Sequence, residues 1–341
     1  MAYSPIDKAS LFMTPLLWTG NDTAQTITGV PFAPAFVWIK NRDAAEKHVL
    51  VDAVRGANNF ISSNDTGANN TNTEFVQSLT SDGYTLGNAD QVNNGSDDFV
   101  GWNWKAGTTS GLSGGTITPS AYSFNATSKC GIYKRTGTAS AGTITHGLGG
   151  VPQMIISKNL TDTSNWRVYH VALGSGNGIN LNESAGDYSD ANLWNGTDPT
   201  STVYSIGSSN DTNKSGSDFV DYVFCEVPGF SSIGKYKGTG NANGPMIYTG
   251  FKPSFIIAKR WNSTPNWLVW DNKRDGYNEA NKVLYPDLTD AEPGDNYVNL
   301  FSNGFKLVDG AAECNADGGY FLYMAFGQSL IGSNGVVGTA R

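Results

Sequence analysis

The sequence predicts an all-β fold: three tandem β-sandwich units related by an internal repeat of about 100–120 residues. Three observations lead there. One short strand recurs as "FVWIKNR" at 36–42, "MIISKNL" at 154–160 and "FIIAKRW" at 255–261. Each copy starts two residues after a proline (Pro34, Pro152, Pro253) and carries a lysine at one place (Lys40, Lys158, Lys259). The spacing holds on two anchors, since the prolines lie 118 and 101 residues apart and Phe99, Phe219 and Tyr320 lie 120 and 101 apart. The composition agrees, because 41 glycines, 12% aromatics and only 15% charged residues suit short strands joined by tight, wet turns.

The elements follow one order in each unit. The units open with "WTGNDT", "YKRTGT" and "YKGTGN", ahead of the proline and its strand. A second strand ends twelve residues after the lysine, at Asp52, His170 and Asp271. A hairpin around residue 44 sets Lys40 opposite His48, Lys158 opposite Trp166 and Lys259 opposite Trp267. Lysine on an aromatic neighbour predicts a cation–π contact of about 0.5–1 kcal/mol. The next strand lies in "DGYTLG", "TVYSIG" and "NGFKLV". In the last strand, period-two alternation predicts a core face of Val100, Trp102 and Trp104, matched by Val220, Tyr222 and Phe224 and by Phe321, Tyr323 and Ala325. Unit boundaries fall at residues 1–110, 111–228 and 229–341. The stretch "GTTSGLSGGTITPS" (107–120) reads as a flexible linker, whereas the short junction at 226–234 contains Pro228 and predicts a stiffer connection.

Several function classes find no support. A net charge of −8 without a basic run argues against nucleic acid as a partner, and no apolar stretch is long enough to insert in a membrane. The first residues lack the basic and apolar regions of a signal peptide, which predicts synthesis and assembly in a cytoplasm. Cys130, Cys225 and Cys314 read as buried thiols, without a disulfide framework or Cys-x-x-Cys metal site. His48, His146 and His170 fall at different repeat positions and imply no metal triad or nucleophile–histidine pair. "HGLGG" at 146–150 lacks an accompanying nucleophile elbow and reads as turn chemistry. The acidic groups Asp97/Asp98, Asp187/Asp190 and Asp287/Asp290 lie in Gly/Asn/Ser-rich loops where aspartate caps turns, and no calcium-loop pattern is present. A lysine repeated three times is better read as a fold requirement than as a Schiff-base residue. The expectation is therefore no catalytic residue, no metal and no cofactor.

Motifs along nearly the whole chain carry a resemblance: the opening 60 residues, "SDGYTLG", "FVGWNWKAG", "THGLGGVPQMIISKN", "YTGFKPSFIIAKR" and the terminal "TAR". In these the chain resembles virion structural and tail-fibre-like proteins of marine tailed bacteriophages. The resemblance implies a virion component, assembled in the host cytoplasm among other virion proteins, and it attaches no catalytic residues to the motifs. By analogy with fibres it implies a homo-oligomer, with a trimer the first expectation. Asn/Ser/Thr/Gly loops with scattered aromatics suit contact with host surface carbohydrate, since rings stack on sugar faces while amides and hydroxyls bind their edges. Recognition should use aromatics outside the repeat, which selects Trp194 in "NLWNGTDP" and Trp261 in "KRWNSTPNW" as ligand-binding candidates. Trp18 is set aside because Tyr133 and Tyr236 occupy its place in the other units. Capsid or tail decoration without a receptor role, and a polysaccharide depolymerase, are the competing readings.

Overall fold

The computed structural model describes residues 4–275, 278, 280–329 and 331, so the terminal "TAR" lies outside the described residues. Twelve strands build three central sheets. The first unit supplies β1 (Met13–Thr19), β2 (Phe36–Asn41), β3 (Val49–Asp52) and β4 (Asp98–Trp104). The second supplies β5 (Cys130–Thr136), β6 (Pro152–Asn159), β7 (Arg167–His170) and β8 (Asp218–Cys225). The third supplies β9 (Ser231–Lys237), β10 (Phe251–Arg260), β11 (Leu268–Asp271) and β12 (Tyr320–Ser329). The sheet orders are β1-β4-β2-β3, β5-β8-β6-β7 and β9-β12-β10-β11, antiparallel throughout. The second sheet continues at its edges with Ala121–Asn125, Asn177–Asn180 and Tyr188–Ser189.

The lysines take one register position, opposite Val100, Val220 and Leu322. Hairpin pairs Ile39↔Val49, Ser157↔Arg167 and Ala258↔Leu268 bring His48, Trp166 and Trp267 to the next position across from them. Pro152 and Pro253 sit at register shifts in β6 and β10, where an irregularity spares the ladder the N–H that proline lacks.

Each central sheet is covered on both sides. On its outer face lies a smaller sheet from the same unit: Gln25–Thr28 with Gly83–Leu86 and Val76–Leu79, Gly142–Thr145 with Val203–Ile206, and Met246–Tyr248 with Gly304–Leu307, Gly294–Phe301 and Ala280–Lys282. Between the layers lies a separate apolar cluster in each unit. One-turn helices at Asp90–Asn93, Asn210–Asn213 and Ala312–Asn315 end in asparagines that are fully buried. The amide nitrogens of Asn93, Asn213 and Asn315 each donate to two backbone carbonyls, and their oxygens accept from the N–H of Asn21, Thr138 and Thr239. These asparagines fasten the opening turns "TGND", "RTGT" and "KGTG" to the far end of the unit.

The inner faces of all three sheets meet in one cluster, which runs from Trp38, Trp102 and Trp104 through Ile132, Ile156 and Tyr222 to Ile257, Met324 and Phe326. Trp104 lies at the junction, with ring centroids 5.0 Å from Phe36, 6.4 Å from Phe224, 5.2 Å from Phe255 and 6.0 Å from Phe326. Each central sheet thus has an outer core of its own, and the three share an inner one.

Two local expectations are corrected. The inner face of β12 is Leu322, Met324 and Phe326, while Phe321, Tyr323 and Ala325 face the outer layer. The register shows why: Ile257 pairs Met324 as Trp38 pairs Trp102 and Ile156 pairs Tyr222, one residue on from the sequence alignment through Tyr320. A one-residue slip moves every side chain to the opposite face. The 107–120 stretch is also tied down rather than loose, since Thr108 bridges Phe124, Gly115 bridges Ile144 and the Thr116 N–H donates to Thr143 O at 2.9 Å.

Because the inner core is common property, chemical denaturation is expected to give a single transition by tryptophan fluorescence and far-UV dichroism. Trp104→Ala should lower stability by about 3–5 kcal/mol and move that transition as one. Separate transitions, or a loss below about 1 kcal/mol, would contradict a shared core centred on Trp104.

Candidate functional site

Chemically capable side chains occur in two settings: buried seams between units, and the exposed edge of the third sheet. The seams run in a cycle. The Trp166 indole N–H, from the second unit, donates to Ser62 O of the first at 2.9 Å. The Trp267 indole of the third donates to Asn180 O of the second at 2.8 Å. In the first unit, His48 Nδ1 accepts from the Trp38 indole at 2.9 Å, which fixes Nε2–H as the donor to Tyr285 O of the third at 3.0 Å. Backbone bonds repeat the cycle: Asn69 N to Leu160 O, Asp187 N to Trp261 O, and Glu292 N to Arg42 O. Asn64, Asn182 and Asp287 accept the backbone N–H of His48, Trp166 and Trp267.

The three lysines are fully buried beside these seams. Lys40 Nζ donates to Asn41 O and Ala44 O, Lys158 Nζ to Asn159 O and Thr66 O, and Lys259 Nζ to Ser184 O and Pro265 O. The expected cation–π contact is replaced by carbonyl bonds, which solvate a buried ammonium better than a ring face does. Burial pulls all three amines down to about 8, against neighbouring carboxylates that favour the charged form. Burial likewise holds the Asp287 carboxyl up at about 7, opposed by Lys259.

A second set of side-chain contacts crosses the seams in the same sense as the indole bonds. Tyr222 OH donates to Asp52 Oδ2 at 2.7 Å, and Trp102 Nε1 donates to Asp271 Oδ2 at 3.0 Å. Arg55 and Arg274 lie three residues beyond these aspartates and pair with them at 2.6 Å. At the third crossing the inward residue is Met324, which has no polar end, and the aspartate position is His170, whose Nε2 meets Tyr323 O at 3.2 Å. The side chains at these three crossings therefore change together.

Other groups singled out in the sequence are also structural. His146 is buried, with Nδ1 accepting from Leu148 N and Nε2 meeting Thr200 O. The three cysteines are free and buried, and burial raises each thiol, that of Cys225 to about 12. Among the described residues no three His, Cys, Asp or Glu side chains converge as metal ligands. A network absent from the sequence reading joins Arg135 to Asp221 (2.6 Å) with Tyr204 and Ser157, enclosed between the two layers of the second unit.

The two tryptophans selected from sequence part company. Trp194 is only 1% exposed and packs edge-on to Tyr169 at 5.9 Å in the outer core of the second unit, which corrects its placement as a surface ring. Trp261 is half-buried and stacks on Tyr320 at 5.6 Å and 27°, and Lys237 Nζ lies 5.7 Å from the Tyr320 centroid. Tyr320 is 44% exposed. The three residues form a ladder across β9, β12 and the end of β10. The sequence points to Trp261 but not to its partners, because Tyr320 aligns with Phe99 and Phe219 in the repeat. A cleft of about 320 Å³ lies elsewhere, on the first unit, with Val49, Ile61, Phe60 and Phe75 as floor and the Lys47–Asp65 pair and Gln91 at its rim.

The fold and the ladder define an all-β protein of several antiparallel sheets, with the Trp261–Tyr320 stack at the end of the third central sheet. A family model described as a domain of unknown function (DUF7483) matches residues 8–329, and the chain belongs to that family. No curated protein and no solved structure matches it.

The seam histidines generate a pH dependence. Burial lowers His48 to about 3 and His170 to about 4 from an ordinary 6.5. Between pH 6.5 and about 4 the unfolded chain gains protons that the folded chain refuses, so these residues make stability fall as pH falls. Asp287, folded near 7 and ordinarily 3.8, acts in the opposite sense over much of this window. His170→Gln keeps a side-chain donor but removes one titration. It should flatten the stability-versus-pH slope by up to about 1.4 kcal/mol per pH unit, measured by urea denaturation at several pH values. An unchanged slope would mean that His170 titrates normally in the folded chain.

Proposed function

We propose that the chain is a non-enzymatic structural protein of a bacteriophage virion, associated with the tail or its fibres, that contacts host surface glycans through the edge of its third sheet. The resemblance of its motifs to marine phage virion proteins supports the first part. The observation that carries the second is the exposed Lys237–Tyr320–Trp261 ladder, in a body whose repeated lysines, Asp–Arg pairs and histidines are hydrogen-bonded inside it. Partly exposed aromatic rings at the end of a sheet offer a sugar a stacking surface at low entropic cost, because the strands fix their position. Other virion proteins are the expected neighbours in the particle.

A second reading, decoration of the capsid or tail without a receptor role, is favoured by one observation: Trp194, half of the pair expected to bind, is core. Localisation and adsorption separate the two. Antibody-gold labelling of particles should mark the tail or fibres, and phage carrying Trp261→Ala with Tyr320→Ala should adsorb to host cells about tenfold more slowly with particles intact, a loss of about 1.4 kcal/mol. Label confined to the capsid, or undiminished adsorption, would favour decoration.

A further inference from the structure

The three central sheets carry three equivalent edges, and comparing them shows what is particular to the third. Backbone bonds fix the equivalence: Arg42 N to Asp98 O at 2.8 Å, Leu160 N to Asp218 O at 2.7 Å, and Trp261 N to Tyr320 O at 3.0 Å. Across the neighbouring strand pair, Thr19 faces Asp98, Thr136 faces Asp218 and Lys237 faces Tyr320. The first two edges are closed polar arrangements. Thr19 and Thr136 donate to their aspartates at 3.0 and 2.9 Å, and the carboxylate charge is met by Arg42 at 3.5 Å or Lys134 at 3.0 Å.

At the third edge the aspartate is Tyr320 and the threonine is Lys237. The edge loses a carboxylate and gains a cation, in a chain whose net charge is −8. The Arg260 head lies beside Gly319, with Nε donating to Asn262 Oδ1 at 3.1 Å, and adds a second cation nearby. Among the described residues neither Lys237 nor Arg260 forms an ion pair with a carboxylate. Asp187, whose N–H bonds Trp261 O, borders the opposite end of the ladder, so the cationic end is that of Lys237. The edge thus offers a stacked, partly exposed aromatic pair beside an ammonium group that has no carboxylate partner among the described residues.

We infer that this edge binds an acidic saccharide of the uronic acid type. The C–H face of the sugar ring lies on the Tyr320–Trp261 stack and its carboxylate pairs with Lys237. The inference rests on the proposed glycan contact and deepens it by naming the ligand class. A charged ligand adds a Coulombic attraction that salt screens, which a neutral sugar cannot do.

The test titrates the whole chain with a short oligogalacturonate and a neutral gluco-oligosaccharide of equal length, by calorimetry and ligand-observed NMR. The oligogalacturonate should bind at least about tenfold more tightly, and its affinity should fall as NaCl rises from about 0.05 to about 0.5 M. The double variant Lys237→Thr with Tyr320→Asp rebuilds the Thr–Asp pair of the other two edges. It should keep the thermal midpoint and lose binding. Equal affinity for the neutral oligosaccharide would overturn the acidic class and leave the glycan contact standing. Absence of binding by either sugar at millimolar concentration would overturn both readings. Undiminished binding by the double variant would show that the ladder is packing and the site lies elsewhere.

Discussion

Everything in this molecule depends on the need to cover two apolar faces of every central sheet. Strand β2 is buried at all six positions, and β4 and β8 at all but their first. Such a sheet loses its stability unless both sides are kept from water. The small outer sheet of each unit covers one side. The other side has no cover within the unit, so the three units must close on one another, and Trp104 with its ring neighbours from three sheets is where they meet. The threefold pattern of buried polar contacts follows from that closure.

A core assembled from three units places backbone carbonyls and strand ends at seams without water. Each such group needs a partner, since an unpaired buried polar group costs about 1–3 kcal/mol. The Trp166 indole N–H answers the Ser62 and Asp65 carbonyls, that of Trp267 answers Asn180 O, and the His48 ring answers Tyr285 O. The buried lysines bind further carbonyls at the expense of their own charged state, which is why burial draws them to about 8. The co-ordinated exchange of Tyr222–Asp52 and Trp102–Asp271 for Met324–His170 shows the same rule from the other side. An aspartate is present where a donor reaches it, and a histidine bonded to a carbonyl stands where none does.

With so many ionisable groups engaged inside, the surface carries the proposed recognition. The ladder on the third sheet occupies a place that the other two sheets fill with a hydrogen-bonded threonine and aspartate. Such a difference at one of three equivalent positions leaves the sheet intact and alters what the edge presents to solvent. The fold therefore tolerates variation there without disturbing the inner core.

The sequence by itself determined the main strands, their order along the chain and the hairpin register that sets each lysine opposite His48, Trp166 or Trp267. These depend on short-range pattern: proline, alternating side chains and turn residues. It did not determine the face of β12, because "YFLYMAF" is apolar at successive positions and carries no alternation to fix register. Nor did it show Trp194 as core, since the Asn and Thr around it report the turn and not the Tyr169 ring beneath. Nor does it distinguish Asn93, Asn213 and Asn315 from solvated turn residues, since their carbonyl partners are set by the fold. Tertiary structure alone decided that three sheets share one core, that Lys158 and Lys259 bind carbonyls across the seams, and that Tyr320 and Lys237 join Trp261. Each of these brings together residues far apart in the chain, and local sequence pattern constrains only near neighbours.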